Sequence, residues 1–314
     1  MKRYIVFDLE WNQAGKSGEL KDMPFEIIEI GAVMLDEEKT ELSAFSRLIK
    51  PKEYLVMHHM NQEISHIRME DLTFEDDFQT VCEDFLNWCE MDDEAVFCTW
   101  GSMDLTELQK NIRHFNMPPL SDGPIPYLDI QKLFSIFKHE PGHRVSLEFA
   151  VNDLDIEKTR PFHRALNDVY YTVEVFKGIS SAALEKKISF DLFNPPKTKE
   201  EEIHAYFDTY SKYVSRGFGI IEEAKRNSRL WDVSCYICRK KPKVLLNWFE
   251  GSAKSYLCLC NCPEHGLLRS MIRFKKSENG GVYATRITHS VSDDDASLIY
   301  AKYEKNHSFV EEST

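Results

Sequence analysis

Nowhere does this 314-residue chain approach the ~18 consecutive apolar residues that a membrane-spanning helix needs. Its start, Met1-Lys2-Arg3-Tyr4-Ile5, lacks the long apolar segment and small-residue cleavage site of a secretory leader, and none is expected. Cysteine is too sparse for a disulfide framework, with eight in 36.7 kDa. Three of them (Cys82, Cys89, Cys98) are scattered, while Cys235, Cys238, Cys258, Cys260 and Cys262 crowd together. That distribution fits a reducing, cytoplasmic setting with one metal-like cluster. Positive charge is also short: at a net −13 the chain as a whole is not coated for nucleic acid. Internal repeats and low-complexity tracts are absent.

What the chain does have is length for a sizeable core and two domains. Tyr4-Ile5-Val6-Phe7-Asp8-Leu9-Glu10-Trp11 reads as a buried strand with two carboxylates at its far end. A linker containing Gly15, Lys16, Ser17 and Gly18 separates it from a second strand over 25–35, and a third follows over 42–49. Short connections predict an antiparallel meander. Phe74, Phe78, Val81, Cys82, Phe85 and Leu86 fall at helical spacing within 72–89. Beyond them the pattern alternates: strand 95–99, helix 104–115, strand 127–130, and helices 131–137, 146–151 and 166–179. Three strands followed by alternating helix and strand imply a mixed α/β sheet with helices on its faces. Pro195 and Pro196 mark a boundary. Ile203, Tyr206, Phe207, Tyr210 and Val214 then predict a helical connector, and the texture changes to short strands at Trp231. The expected division is a catalytic-type domain over 1–190, a helical connector over 191–230, a small zinc ribbon-like domain over 231–290 and an acidic helical tail over 291–314.

Side chains two apart on a strand share a face, so Asp8 and Glu10 converge on one spot and need a cation, a shared proton or solvent. Alternatively the strand ends at Phe7 and both acids are loop residues in water. Asp104, in Thr99-Trp100-Gly101-Ser102-Met103-Asp104, stands where a buried strand meets a helix. It reads either as helix-start chemistry behind a Ser102 cap or as a site residue at a strand's carboxyl end. His163 and Asp168 are separated by about 140° on a helix. They can meet only if His163 lies in the loop ahead of the helix bearing Asp168.

Asp-x-Glu on a first strand, an Asp at a strand–helix junction and His-x4-Asp late in the same region, in that order, resemble the DEDDh (DnaQ-like) 3′–5′ exonucleases of the RNase H-like superfamily. The resemblance covers about residues 1–180. Trp100-Gly101-Ser102-Met103-Asp104 and Phe25-Glu26-Ile27-Ile28-Glu29-Ile30 are similar to the KapD and histone-mRNA 3′-exonuclease branch, which acts mostly on RNA. The fold implied is an RNase H-like mixed five-stranded sheet flanked by helices. Also implied are two Mg²⁺ or Mn²⁺ ions held by Asp8, Glu10 and Asp168, with Asp8 bridging and Asp104 binding through water. Carboxylates suit these hard ions, and two divalent ions can activate the attacking oxygen and stabilise the leaving one. His163 is implied as the base that takes the proton from the attacking water, since histidine titrates near neutrality; His143 is its rival. Many relatives carry Thr or Ala after the motif glutamate, whereas this chain has Trp11, which either stacks on the terminal base or packs in the core. The Met60–Ile67 stretch is similar to a family segment beside the last bases and makes Ile64 and His66 candidate substrate contacts.

Cys235-Tyr236-Ile237-Cys238 and Cys262-Pro263-Glu264-His265 supply four ligands of the kind that hold one structural Zn²⁺. Cys258 and Cys260 alternate with Cys262 on an extended strand, so Cys260 is a candidate substitute ligand and Cys258 a spectator. Between Trp231 and Ser290 ten Lys/Arg oppose four Asp/Glu, a local +6 within the net −13. With Trp248, Phe249 and Tyr256 interleaved, the segment reads as a nucleic-acid-binding module or as a solvated charged face. The expected function is thus a metal-dependent 3′–5′ exonuclease on single-stranded RNA 3′ ends, without a membrane role. The alternatives are a DNA exonuclease of proofreading type and a non-catalytic nucleic-acid-binding adaptor.

Overall fold

The strand that carries Asp8 and Glu10 has a core on each face, and the first half of the chain is built around it. A computed structural model describes residues 2–14, 18–89, 94–138, 143–180, 184, 187–252 and 254–311; linker residues 15–17 lie outside them. Two compact units result, Met1–Asp191 and Leu192–Thr314. No described helix is long and apolar enough to cross a membrane.

In the first unit, β1 (Arg3–Gln13), β2 (Phe25–Leu35) and β3 (Glu41–Leu48) form the antiparallel meander. Three helices follow: α1 (His59–Ser65), α2 (Met69–Leu72) and α3 (Phe78–Cys89). Next come β4 (Ala95–Thr99), α4 (Met103–His114), β5 (Ile125–Asp129), α5 (Ile130–Phe137), α6 (Leu147–Asp153), α7 (Ala165–Gly178) and β6 (Ser189–Asp191). The sheet order is β3-β2-β1-β4-β5-β6, with β1, β4 and β5 parallel to one another. It holds six strands rather than the expected five. The extra one, β6, pairs antiparallel with β5 over three residues, too few to leave a period in the sequence.

β1 lies inside that sheet, so its alternate residues serve different cores. Ile5, Phe7 and Leu9 enter one cluster with α3 and α4, while Tyr4 and Val6 enter the other with α7. Burial on both faces explains why the strand reads as a continuous apolar run rather than an alternation. The helix expected over 72–89 begins only at Phe78, and Phe74, expected on its buried stripe, is 96% exposed.

The second unit departs further from expectation. The connector region forms β7 (Ile203–Tyr206) and β8 (Tyr210–Val214), an antiparallel hairpin, and not a long helix. Aromatic and β-branched residues dominate it, and Phe207 and Tyr210 stack at 4.5 Å beside the turn. Their three- and four-residue intervals imitate a helical stripe. Short helices α8 (Ile221–Lys225) and α9 (Ser228–Trp231) precede β9 (Lys243–Ser252), β10 (Ser255–Cys262), β11 (Gly266–Lys276) and β12 (Val282–Ser290), and α10 (Asp293–Glu311) closes the unit. All six strands form one antiparallel sheet in the order β7-β8-β12-β11-β10-β9. The 231–290 stretch is therefore four strands of a larger sheet and not a free-standing ribbon. One sheet face packs on α8 and α9, and the other on α10.

Candidate active site

Tyr4, Val6, Asp8 and Glu10 share one face of β1, and that face is the one covered by α7. The strand does not stop at Phe7: Asp8 and Glu10 pair across it with Gly31 and Glu29 of β2, and the register slips only after Glu10. α7 descends close to this point because Gly31 has no side chain. A Cβ built there would lie 2.2 Å from the Leu166 nitrogen and 2.4 Å from the Ala165 carbonyl carbon. Asp168, one turn into α7, thereby reaches the strand acids. Oxygens of Asp8, Glu10 and Asp168 all lie within 4.8 Å of one another.

Asp104 enters from the other side. Ser102 stands at the N-cap of α4 but makes no side-chain capping bond. Asp104 itself is 5% exposed and accepts from its own backbone N–H and from that of Leu9, between the two strand acids. The β1–β4 pairing ends at Val6 and Cys98, which leaves the Leu9 amide free for this bond. The site thus gathers at the carboxyl ends of adjacent parallel strands, where α/β folds concentrate chemistry.

Four acids so placed resist ionisation. Burial, reinforced by Asp104, Glu10 and Asp168, holds the Asp8 carboxyl well above its ordinary range. Burial and then Asp168 push Glu10 up to about 8. Asp104 rises to about 7, mainly through burial, against the opposing pull of its two amide partners. Burial likewise raises Asp168 to about 6, opposed by the His163 amide. An oxygen-only donor set under mutual repulsion fits a hard divalent cation, which would satisfy all of it at once.

His163 lies in the loop ahead of α7, exposed, with a left-handed φ of 65°. Its backbone N–H donates to Asp168 Oδ2 at 3.1 Å and Oδ1 at 3.3 Å, so the loop and the acid hold each other. His143 stands apart, where its backbone carbonyl accepts from Ser135 Oγ.

Two supports of the site were not among the expected site residues, although Glu29 lies in the Phe25–Ile30 motif. Glu29 is 2% exposed and accepts from Arg164 Nε at 3.0 Å, Arg164 Nη2 at 2.9 Å and the Ala165 amide at 3.2 Å, which caps α7. Asn12, fully buried, donates to the Tyr54 and Val56 carbonyls and accepts from the His58 amide. Asn61 Nδ2 donates to the Trp11 carbonyl at 2.6 Å. Together they fasten α1 to the end of β1. Ile64 and His66 are exposed on and just after that helix. Trp11 is half-buried, packed on the core with its ring 5.3 Å from that of Phe25.

In the second unit, Cys235, Cys238, Cys262 and His265 bring one ligand atom each within 4.8 Å of the others. Cys260 is not in this group; its sulfur lies 3.4 Å from that of Cys258. The three rings named in this segment each meet another ring. Trp248 and Tyr256 pack edge-on to Trp231, and Phe249 packs on Tyr303. Of the basic residues, Lys240 is paired with Glu264 and Lys241 with Asp232.

A family model described as Exonuclease (RNase_T) matches residues 5–176, more than half of the chain, a range that contains Asp8, Glu10, Asp104, His163 and Asp168. A comparison with curated proteins gave no match. Among solved structures, the chain is similar to the nuclease domain of 3'hExo, a DEDDh family member, bound to rAMP. The identity is 17% over 60% of this chain and 96% of that one, with a TM-score of 0.50. A 3'-exonuclease in 3'-end specific recognition of a histone mRNA stem-loop gives 15% identity over 60% and 85%, also at 0.50. A full-length 3'-exonuclease gives 14% over 62% and 92%, again at 0.50. At such identities the likeness is one of fold, the RNase H-like exonuclease fold.

Proposed function

We propose, from the premise that this chain belongs to the exonuclease family, that it is a metal-dependent enzyme removing nucleotides from the 3′ end of single-stranded RNA. The observation that carries the reading is the convergence of Asp8, Glu10 and Asp168 within 4.8 Å, on a face where burial would otherwise oppose three charges. These three would hold Mg²⁺ or Mn²⁺, with Asp104 behind them. Bound there, two such ions supply charge for the attacking and leaving oxygens of phosphodiester hydrolysis.

The chain's own groups do the rest. Asp8 and Glu10 are presented by a strand buried on both sides, and their geometry is set before substrate arrives. Asp104 is held to β1 by the Leu9 amide. His163, exposed and anchored through its amide to Asp168, takes the proton from the water that attacks the terminal phosphodiester. Ile64 on the helix fastened beside β1, and His66 just after it, contact the terminal nucleotides. The preference for RNA is supported by the likeness of the Trp100–Asp104 and Phe25–Ile30 motifs to the histone-mRNA branch.

The test is to incubate the purified chain and Mg²⁺ or Mn²⁺ with RNA and DNA of one sequence, labelled at either end. Faster loss of the 3′ label from RNA, with mononucleotide products, supports the reading. Faster digestion of DNA would assign it to the proofreading type, and loss of the 5′ label first would reject the polarity.

A further inference from the structure

We infer that Cys235, Cys238, Cys262 and His265 form a tetrahedral Zn²⁺ site that ties the 233–240 loop to the β10–β11 hairpin. With Zn–S near 2.3 Å and Zn–N near 2.05 Å, a regular tetrahedron has S–S edges of about 3.8 Å and S–N edges of about 3.6 Å. Cys238 Sγ and Cys262 Sγ are 3.6 Å apart. His265 Nδ1 lies 3.6 Å from Cys235 Sγ and 3.5 Å from Cys262 Sγ. Three edges on four side chains from two separate segments thus match one metal polyhedron.

The backbone is shaped for the same purpose. After the first pair, the Arg239 amide donates to the Cys235 carbonyl at 2.9 Å and the Cys235 amide to the Lys240 carbonyl at 3.0 Å. Arg239 takes a left-handed φ of 62° to close this turn. The Lys240 amide is thereby aimed at the Cys238 sulfur. After the second pair, the Glu264 and His265 amides point at the Cys262 sulfur, and Gly266 leaves the turn at a φ of 74°. Amide donors directed at sulfur favour thiolate, the form that binds a metal. Thiolate and imidazole are the soft and borderline donors that select Zn²⁺ over the hard ions suited to the carboxylate site.

The geometry also separates ligands from bystanders. Cys258, Cys260 and Cys262 share one face of β10, but Cys258 and Cys260 turn to each other beneath Val233 and Leu268. They line the wall behind the metal and do not reach it.

The experiment uses the full chain, purified without chelator, and measures zinc by mass spectrometry before and after titration of thiols with an organomercurial. One zinc per chain, released by thiol titration, is expected; Cys235→Ser and His265→Ala should each lose it, and Cys260→Ala should keep it. Wild-type chain without thiol-releasable zinc, or a Cys235→Ser/Cys262→Ser chain that retains it, would overturn the site. Loss in Cys260→Ala combined with retention in His265→Ala would overturn the ligand set. Should a variant fail to fold, Co²⁺ exchanged into the wild-type chain decides alone. Intense visible bands of tetrahedral cobalt with thiolate charge transfer support the inference, and the weak spectrum of octahedral cobalt contradicts it.

Discussion

Arg164 grips Glu29 through two parallel hydrogen bonds, Nε to Oε2 at 3.0 Å and Nη2 to Oε1 at 2.9 Å, across the first turn of the helix that carries Asp168. The Glu29 side chain is almost wholly buried, at 2% exposure, while that of Arg164 is 41% exposed. Removing the arginine leaves a buried charge with only the Ala165 amide. A fully buried pair broken this way costs roughly 3–5 kcal/mol, and solvent at the arginine reduces that to about 1–2 kcal/mol. Arg164→Ala is expected to lower stability by that amount in urea unfolding. It should also slow hydrolysis about a hundredfold, because a displacement of ~1 Å at the reacting groups has that effect. Arg164→Lys should recover little, since an ammonium cannot make the paired contact.

Gly31 sets how closely α7 approaches β2. Any Cβ there meets backbone at 2.2 Å, which a side-chain movement cannot relieve. Gly31→Ala is expected to destabilise the first unit by at least about 2 kcal/mol and to disable hydrolysis by withdrawing Asp168 from Asp8 and Glu10. Thermal unfolding and a single-turnover assay check both halves.

The acids make stability depend on pH in a set direction. Glu10 near 8, Asp104 near 7 and Asp168 near 6 all lie above their ordinary values of 4.5 and 3.8. The folded chain therefore binds more protons than the unfolded chain between about pH 4 and 8. The stabilisation is full below the unfolded values and is lost as pH rises through the folded ones. In EDTA the melting temperature should fall from pH 5 to pH 8, and Glu10→Gln should flatten that slope. Added Mn²⁺ should raise the melting temperature most at the alkaline end, where the acids are free to bind it.

Asn12 connects the strand of the acids to the segment leading into α1, which carries Ile64, a proposed substrate contact. Asn12→Ala removes two donated bonds and one accepted bond, with an expected loss of about 1–3 kcal/mol. Because α1 then loosens while the acids stay in place, KM for a short RNA should rise more than kcat falls.

Much of the site could be anticipated because its chemistry is concentrated in residue types that are rarely buried. Taken singly, Asp8, Glu10, Asp104 and Asp168 also read as solvated or helix-start acids; their order along the chain, with His163, is what resembles one family's pattern. The roles of Glu29, Gly31 and Asn12 carried no such mark: Glu29 lies in a family-like motif, but an acid, a glycine and an amide in a strand show no partner until the facing helix or loop is known. The second unit is less legible in its sequence for a related reason. Intervals of three and four between Ile203, Tyr206 and Tyr210 suit a helix, but β7 pairs with β8 as a hairpin and β12 extends it on the far side of β8. Likewise Trp248, Phe249 and Tyr256 are suited to stacking on bases, but their neighbours in the fold are other rings.

The most direct test of the account is digestion of 5′-labelled RNA in Mg²⁺ by the wild-type chain, Asp8→Ala and Asp168→Ala, each verified as folded by circular dichroism. The account predicts a wild-type ladder shortening one nucleotide at a time from the 3′ end, no products from either variant, and an untouched circular RNA of the same sequence. Cleavage of the circle, or an unchanged ladder from Asp8→Ala or Asp168→Ala, would contradict it.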